Sequence, residues 1–404
     1  MPSLLLKSEN VGLTEMRCCT LAMTVLLLAS TRTAAAQTIT EFPIPTRITA
    51  ASIVAGPDGA LWFAEGAGKK ICRITTTGTV TEFLIPVPPH VHLSTGIAAG
   101  PDGALWFGTE NLASASESIG RITTKGEFSE FPLPPGRRVV FNDNGITTGP
   151  DGALWFTEAG TNQIGRITTS GEISEFPLPM PDGRSFRLTA GPDGALWFAE
   201  GRGNKIGRIT TAGAITEFPL PTPDSGPGGI TAGPDGALWF TEFLGNKIGR
   251  ITTVGEFSEF LIPTPNSGPF GITVGSDGAL WFTEFLIPTP NSSPFGITVD
   301  SDGAVGFTEW NDAGKIGRIT TTGEFSEFVI PTPNSGSGGI TAGPDGAVWF
   351  TEANRARIGR IGQIDEDVKA DVQTFHWGRW ILYFGIVASS VIIITIQLKR
   401  LHLH

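Results

Sequence analysis

The chain of 404 residues is poor in cysteine, histidine and charge: three Cys, five His, and 17% Asp, Glu, Lys and Arg. Cys18 and Cys19 lie in the N-terminal segment, which leaves Cys72 alone in the body of the chain. A lone thiol forms no internal disulfide, and Cys72 takes a place that other repeats give to Gly, so it reads as a packing residue. Acidic residues number 39 against 28 basic, a net charge of −11 with no basic stripe and no phosphate-cradling loop. That balance argues against a nucleic-acid surface. No Gly-x-Ser-x-Gly elbow and no His-Glu-x-x-His pair is present, so the common nucleophile and zinc-hydrolase patterns have no foothold.

Glycine and proline, 53 and 30 residues, are plentiful and punctuate a repeat. It is clearest as Gly-Ile-Thr-Ala-Gly-Pro-Asp-Gly-Ala-Leu-Trp-Phe-Thr-Glu, residues 229–242. The Asp of its Asp-Gly-Ala core stands at Asp58, Asp102, Asp151, Asp193, Asp235, Asp277, Asp302 and Asp345. A period near forty residues, built of short β-type runs and tight turns, marks a propeller or a solenoid.

One unit resolves into four strands. Ile230 to Ala232 is short and β-branched, Gly233-Pro234-Asp235-Gly236 is a turn, and Ala237 to Glu242 is a second strand. Lys247 to Thr252 and Glu256 to Ile262 follow as third and fourth strands, which together make a propeller blade. Gly207 and Gly249 fall inside third strands, where they admit a bulky neighbouring ring. The Ile-Gly-Arg-type third strand occurs seven times, ending at Arg73, Arg121, Arg166, Arg208, Arg250, Arg318 and Arg360. The last unit runs out after Ile358 to Ile364, and an orphan fourth strand, Thr38 to Pro45, precedes the first. Pairing the two closes the ring and removes an exposed edge.

The expectation is therefore an all-β, seven-bladed β-propeller of four-stranded blades with N- and C-terminal strand closure, plus one surplus half-repeat. The step from Asp277 to Asp302 is only 25 residues, because Phe285 runs straight into Leu286-Ile287-Pro288. The next unit carries Gly306 where others have Trp. Either an eighth blade has lost two strands or a seven-bladed ring carries a bulging hairpin. The second is preferred, since a two-stranded blade packs poorly against full neighbours.

Arg17, the apolar run Leu21 to Ala29 and Ala34-Ala35-Ala36 have the pattern of a secretory leader over residues 1–36, with Met16 an alternative start. Residues 37–364 are the ring and 365–379 a polar linker. Trp380 to Leu398 carries no charge and is followed by Lys399-Arg400, which predicts a C-terminal transmembrane helix over 380–398 and a cytoplasmic tail over 399–404. The ring is then expected outside the cytoplasm, periplasmic or at the cell surface, anchored by one span and monomeric.

Propeller ligands usually lie over the central channel. Two sets of residues reach it: those that precede each Gly-Ile-Thr, and the Glu that ends each second strand. The glutamates are Glu65, Glu110, Glu158, Glu200, Glu242, Glu284, Glu309 and Glu352. They could hold a cation or carry a proton; since every unit has one, local pairing with a Lys or Arg of a neighbouring strand is the preferred reading. The first set holds Thr95, Asn144, Phe186, Gly228, Phe270, Phe295 and Gly338, mostly apolar or lacking a side chain, which suits a hydrophobic cup for a small molecule or peptide. Phe270 and Phe295 are its candidate ligand contacts. His90 and His92 alternate on a loop and are candidate ligand-binding residues, but two histidines are fewer than a catalytic zinc site needs.

Asp-Gly-Ala-Leu-Trp-Phe-Thr-Glu, Asn-Lys-Ile-Gly-Arg-Ile-Thr, Glu-Phe-Pro-Leu-Pro-Thr-Pro and Ser-Gly-Pro-x-Gly-Ile-Thr closely resemble the repeats of virginiamycin B lyase, also called streptogramin lyase. The resemblance spans Thr38 to about Ile364. It implies a seven-bladed propeller that opens the lactone of type B streptogramins by elimination with a magnesium ion. It further implies a His just before Gly-Ile or Ala-Ile in two late innermost strands with an acidic residue nearby. Here those slots hold Phe295 and Gly338, and the acidic slot holds Gly336. Glu352 falls near the family's further acidic position, so Glu352 and Glu309 are the catalytic candidates and Glu352 the metal candidate. The other function class that stays open is a non-catalytic, extracytoplasmic ligand-binding propeller.

Overall fold

The Asp of each Asp-Gly turn joins three parts of its blade. In the computed structural model, Gly236 takes a φ of 73°, which lets the turn close without a Cβ clash. Oδ1 of Asp235 accepts hydrogen bonds from Trp239 Nε1 at 3.0 Å and from the Ala237 backbone at 3.3 Å. Its Oδ2 accepts from Arg250 Nε at 2.7 Å, and the Arg250 guanidinium lies 5.9 Å from the centre of the Trp239 ring. The sequence offers this triad wherever Asp, Trp and Arg recur at these offsets, and it forms in the first four blades and the last as well. Burial pushes the Asp193 carboxyl up, but hydrogen bonds from Trp197 and Arg208 outweigh it and hold the group below its usual range.

The structure describes residues 37–45, 52–65, 69–88, 90–111, 116–134, 145–158, 162–179, 185–263, 265–283, 294–309, 314–320 and 325–363. The leader, linker, span and tail expected from the sequence lie outside them. Among the described residues no helix is long and apolar enough to cross a membrane.

The architecture is a seven-bladed propeller of four-stranded antiparallel sheets, with one further two-stranded sheet. Along the chain the innermost strands are Ile53–Ala55, Val91–Ala99, Ile146–Thr148, Ser185–Ala190, Pro227–Ala232, Pro294–Val299 and Ser337–Ala342. Within blade five, Trp239 faces Arg250, Phe240 faces Gly249 and Glu242 faces Lys247. Alternation then sends Leu238 and Phe240 towards blade four, where they pack with Trp197 and Ile206, while Trp239 points the other way. Each blade is thus apolar on both faces, as a sheet between two sheets must be. Phe198 and Trp197 are fully buried in this way, and covering one such Phe contributes about 2–3 kcal/mol.

Neighbouring blades are also latched by hydrogen bonds. Thr308 Oγ1 accepts from the Gly296 backbone of its own blade at 2.9 Å and donates to the Gly338 carbonyl of the next at 3.0 Å. Thr241 does the same between Gly229 and the Phe270 carbonyl. The third-strand Gly is set by the ring opposite it: a Cβ on Gly207 would lie 2.1 Å from Phe198. Gly207→Ala is expected to lower stability by about 1–3 kcal/mol through overpacking, read from the urea midpoint. An unchanged midpoint would show that Phe198 yields.

The ring closes as the repeat count requires. Gln37–Pro43 is the outer strand of the last blade and pairs with Arg357–Gln363. The hairpin Ile272–Val274 with Leu280–Phe282 is the surplus half-repeat beside the seven full blades. It is interposed in the ring between blades five and six, with Ile272 and Thr273 lining the central cavity beside Ile230 and Ile297. Its inner strand retains the Gly-Ile-Thr backbone that the Thr latch of blade five needs, and that contact holds it in line.

Candidate functional site

The inner strands enclose an axial cavity of about 330 Å³. Ile53, Ile146, Leu188, Ile230, Ile272, Ile297 and Ile340 form its apolar wall, with Thr147, Thr189, Thr231 and Thr273 interleaved. Arg187 is the single charged side chain of this lining among the described residues. Its guanidinium lies 4.9 Å from the centre of the Phe270 ring, a cation–π contact made across blade five. Phe270, a candidate ligand contact from the sequence, thus touches a residue of the cavity lining without itself lining the cavity, and Arg187 is not among the sequence candidates. A signal was present: Arg187 occupies the slot that Gly229 and Gly339 fill in other units.

The second-strand glutamates lie behind this wall. Glu352 is 1% exposed and faces Ser337 in the sheet; Glu309 is fully buried and faces Pro294. Local pairing with the third-strand cation, the preferred reading, does not occur at Glu200 and Glu309. Lys205 stands opposite Glu200 but bonds Glu217 of the outer strand, and Lys315 bonds Glu327 at 2.6 Å. The outer-strand carboxylate is the more solvated of the two, so the ammonium goes to it, and neither oxygen of Glu200 or Glu309 is hydrogen-bonded. Burial, with the charge of Glu217, pushes Glu200 up to about 7; burial and Glu327 do the same to Glu309. Burial, then the carboxylate of Glu41, raise Glu352 to about 8 against the opposing charge of Arg357.

The remaining candidates are dispersed. His90 and His92 are both exposed, and His92 pairs with Glu110 in blade two. Phe295 lies in the innermost strand Pro294–Val299, its side chain outside the described residues, and Gly338 is buried with its carbonyl in the Thr308 latch. No described carboxylate lines the cavity, and burial raises Glu200, Glu242 and Glu309 to about 7 and Glu352 to about 8, which weakens them as cation ligands. These residues do not fit a magnesium ion, and no chemical step is assigned to one. Glu65, Cys72 and Glu82 bring ligand atoms within 4.8 Å of one another inside blade one, but Lys70 already bonds Glu82 at 2.7 Å and burial keeps the Cys72 thiol protonated.

Against this geometry, the model of the virginiamycin B lyase family matches residues 28–141, 112–287 and 284–375. The chain belongs to the virginiamycin B lyase family. Virginiamycin B lyase from Staphylococcus aureus is 37% identical, with 81% of this chain and 100% of that chain covered and a TM-score of 0.61. A streptogramin B lyase structure is also 37% identical, covering 81% and 97%, with a TM-score of 0.60. A catalytically inactive His-to-Ala variant of the Staphylococcus aureus virginiamycin B lyase, solved with quinupristin, matches at 37% identity over 81% and 100%, again at 0.60. No curated protein matches the chain. The family match accounts for the seven full blades.

Proposed function

We propose that the ring binds a cyclic ester-linked peptide of the type B streptogramin class over its central cavity and opens the lactone by elimination, inactivating it. The observation that carries this reading is the 37% identity to virginiamycin B lyase along the whole of that chain. In such a step a base takes the proton α to a carbonyl, a C=C bond forms, and the C–O bond breaks to leave a carboxylate. Arg187 in the cavity lining is the group suited to receive the departing carboxylate, by charge-assisted hydrogen bonding. Glu352, protonated below about pH 8, and Glu309 are proposed as proton carriers behind the wall. The leader-like N-terminal pattern and the apolar run 380–398 support a membrane-anchored, extracytoplasmic place for the ring.

Loss of a histidine abolishes catalysis in the Staphylococcus aureus relative, and this chain has Phe295 and Gly338 in the family's two histidine slots. Turnover is therefore expected to be slower than that enzyme's by about 10²–10⁴. The test is quinupristin incubated with the full chain and followed by chromatography and tandem mass spectrometry. Elimination gives a linear isomer of unchanged mass, whereas hydrolysis adds one water. The isomer is expected to form slowly, and more slowly still with Arg187→Met and Glu352→Gln. Binding without any product would overturn the lyase reading in favour of a binding propeller; a hydrolysed product would overturn elimination.

A further inference from the structure

We propose that the flank of the two-stranded sheet left unpaired among the described residues is a docking site for an extended peptide segment that carries an Ile-Gly-Arg-Ile-like alternation, added in antiparallel register to Leu280–Phe282. Among the described residues that strand pairs only with Ile272–Val274, whereas every other second strand is covered by a third.

The side chains at this flank are those that a third strand satisfies elsewhere. In six blades the turn Asp accepts from a Trp indole and from an Arg of the third strand. Here Asp277 bonds only the Ala279 backbone, at 2.9 Å, and the Trp281 Nε1 is buried without an acceptor. The same deficit shows on the facing blade. Phe83, Phe131, Phe176 and Phe218 each lie under the turn glycine of the next blade, at 2.1–2.5 Å from where its Cβ would be. Phe260 has no such cover and is 49% exposed. Trp239 packs against Ile272, Leu280 and Phe282 but lacks a third-strand Ile, the partner that Ile251 supplies to Trp197.

These contacts specify the occupant. Blade five sets the register: Ile opposite Leu, Arg opposite Trp, Gly opposite Phe and Ile opposite Thr. A strand so placed brings its Arg to Asp277 and over Trp281, an Ile onto Trp239, and a Gly beneath the Phe282 ring. Backbone pairing supplies affinity and these four positions supply selectivity. A second copy of this chain is not the donor, because all seven of its Ile-Gly-Arg-type strands are already third strands of four-stranded sheets.

The probe is the peptide Asn-Lys-Ile-Gly-Arg-Ile-Thr, titrated into the full chain by calorimetry, with amide hydrogen exchange at Leu280–Phe282 as a second readout. Saturable one-to-one binding with slowed exchange at those amides is expected. Binding should weaken at least about tenfold when the peptide Arg becomes Glu, or with Asp277→Lys or Trp281→Phe in the protein. The charge-swapped peptide keeps the test independent of how the variants fold. No saturable binding, equal binding of a scrambled peptide, or unchanged exchange at Leu280–Phe282 would overturn the proposal.

Discussion

A chain lacking residues 37–45 is expected to lose most of the stability of the ring. Those residues supply the outer strand of the last blade, and their removal exposes the edge of Arg357–Gln363. The loss is more than one ladder of backbone bonds. Phe42 stacks on Trp349 with ring centres 5.4 Å apart and also lies under the Gly78 turn of blade one. Ile44 is buried among Ile53, Leu61 and Phe63 of that same blade. Glu41 accepts from the Thr332 backbone and hydroxyl, both at 2.9 Å, and from Arg357 at 3.3 Å, which ties blade six to blade seven. One short strand thus joins three blades. The buried Ile44 and half-buried Phe42, at about 1–3 kcal/mol each, plus three charged hydrogen bonds, sum to about 5 kcal/mol or more, comparable with the whole stability of many domains. Urea unfolding followed by circular dichroism measures it; a midpoint equal to that of the full chain would show that the blades stand without closure.

Stability is also expected to fall as pH rises from 5 to 8.5, the reverse of ordinary acid denaturation. Burial raises Glu200, Glu242 and Glu309 from the ordinary 4.5 to about 7, and Glu352 to about 8. Between pH 4.5 and 8 the folded ring keeps protons that the unfolded chain has released, so each step up in pH favours the unfolded chain. The turn aspartates oppose this only in acid. Their folded values lie below 3.8, so the stability they add is complete above that pH and constant from 5 upward. A fall of at least about 3 kcal/mol in unfolding free energy is expected across the range. The Glu200→Gln, Glu309→Gln double variant should reduce the fall by about half, with Glu242 and Glu352 supplying the rest. A profile that is level or rises between pH 5 and 8.5 would show that the buried carboxyls ionise in the folded ring.

The repeat made the blade legible because its signals are local. The Asp-Gly turn, the alternation of Leu-Trp-Phe-Thr and the Gly opposite a Phe depend on residues a few positions apart, and each strand needs the next one to bury its faces. Closure was legible for the same reason, since an orphan fourth strand and an unfinished last blade have one economical partner. The site was less legible. Arg187 stands out from the repeat, but its approach to Phe270 depends on the rotation from blade four to the interposed hairpin, which no spacing encodes. The raised pKa of Glu200 and Glu309 was equally hidden, because the sequence places a Lys beside each and only packing decides that it turns to Glu217 or Glu327.

The sequence by itself therefore determined the blade, the number of blades and the way the ring is shut. Those follow from turn chemistry and from the need to cover two apolar faces of every sheet. Only the tertiary structure decided where the surplus hairpin goes and what the centre of the ring presents. The hairpin is held in line by a Thr latch and a wall of Ile side chains contributed by its neighbours. Around the axis, residues some forty positions apart become adjacent, and it is there, in the crowding of seven inner strands and a hairpin, that one arginine, a wall of isoleucines and a row of threonines become a cavity.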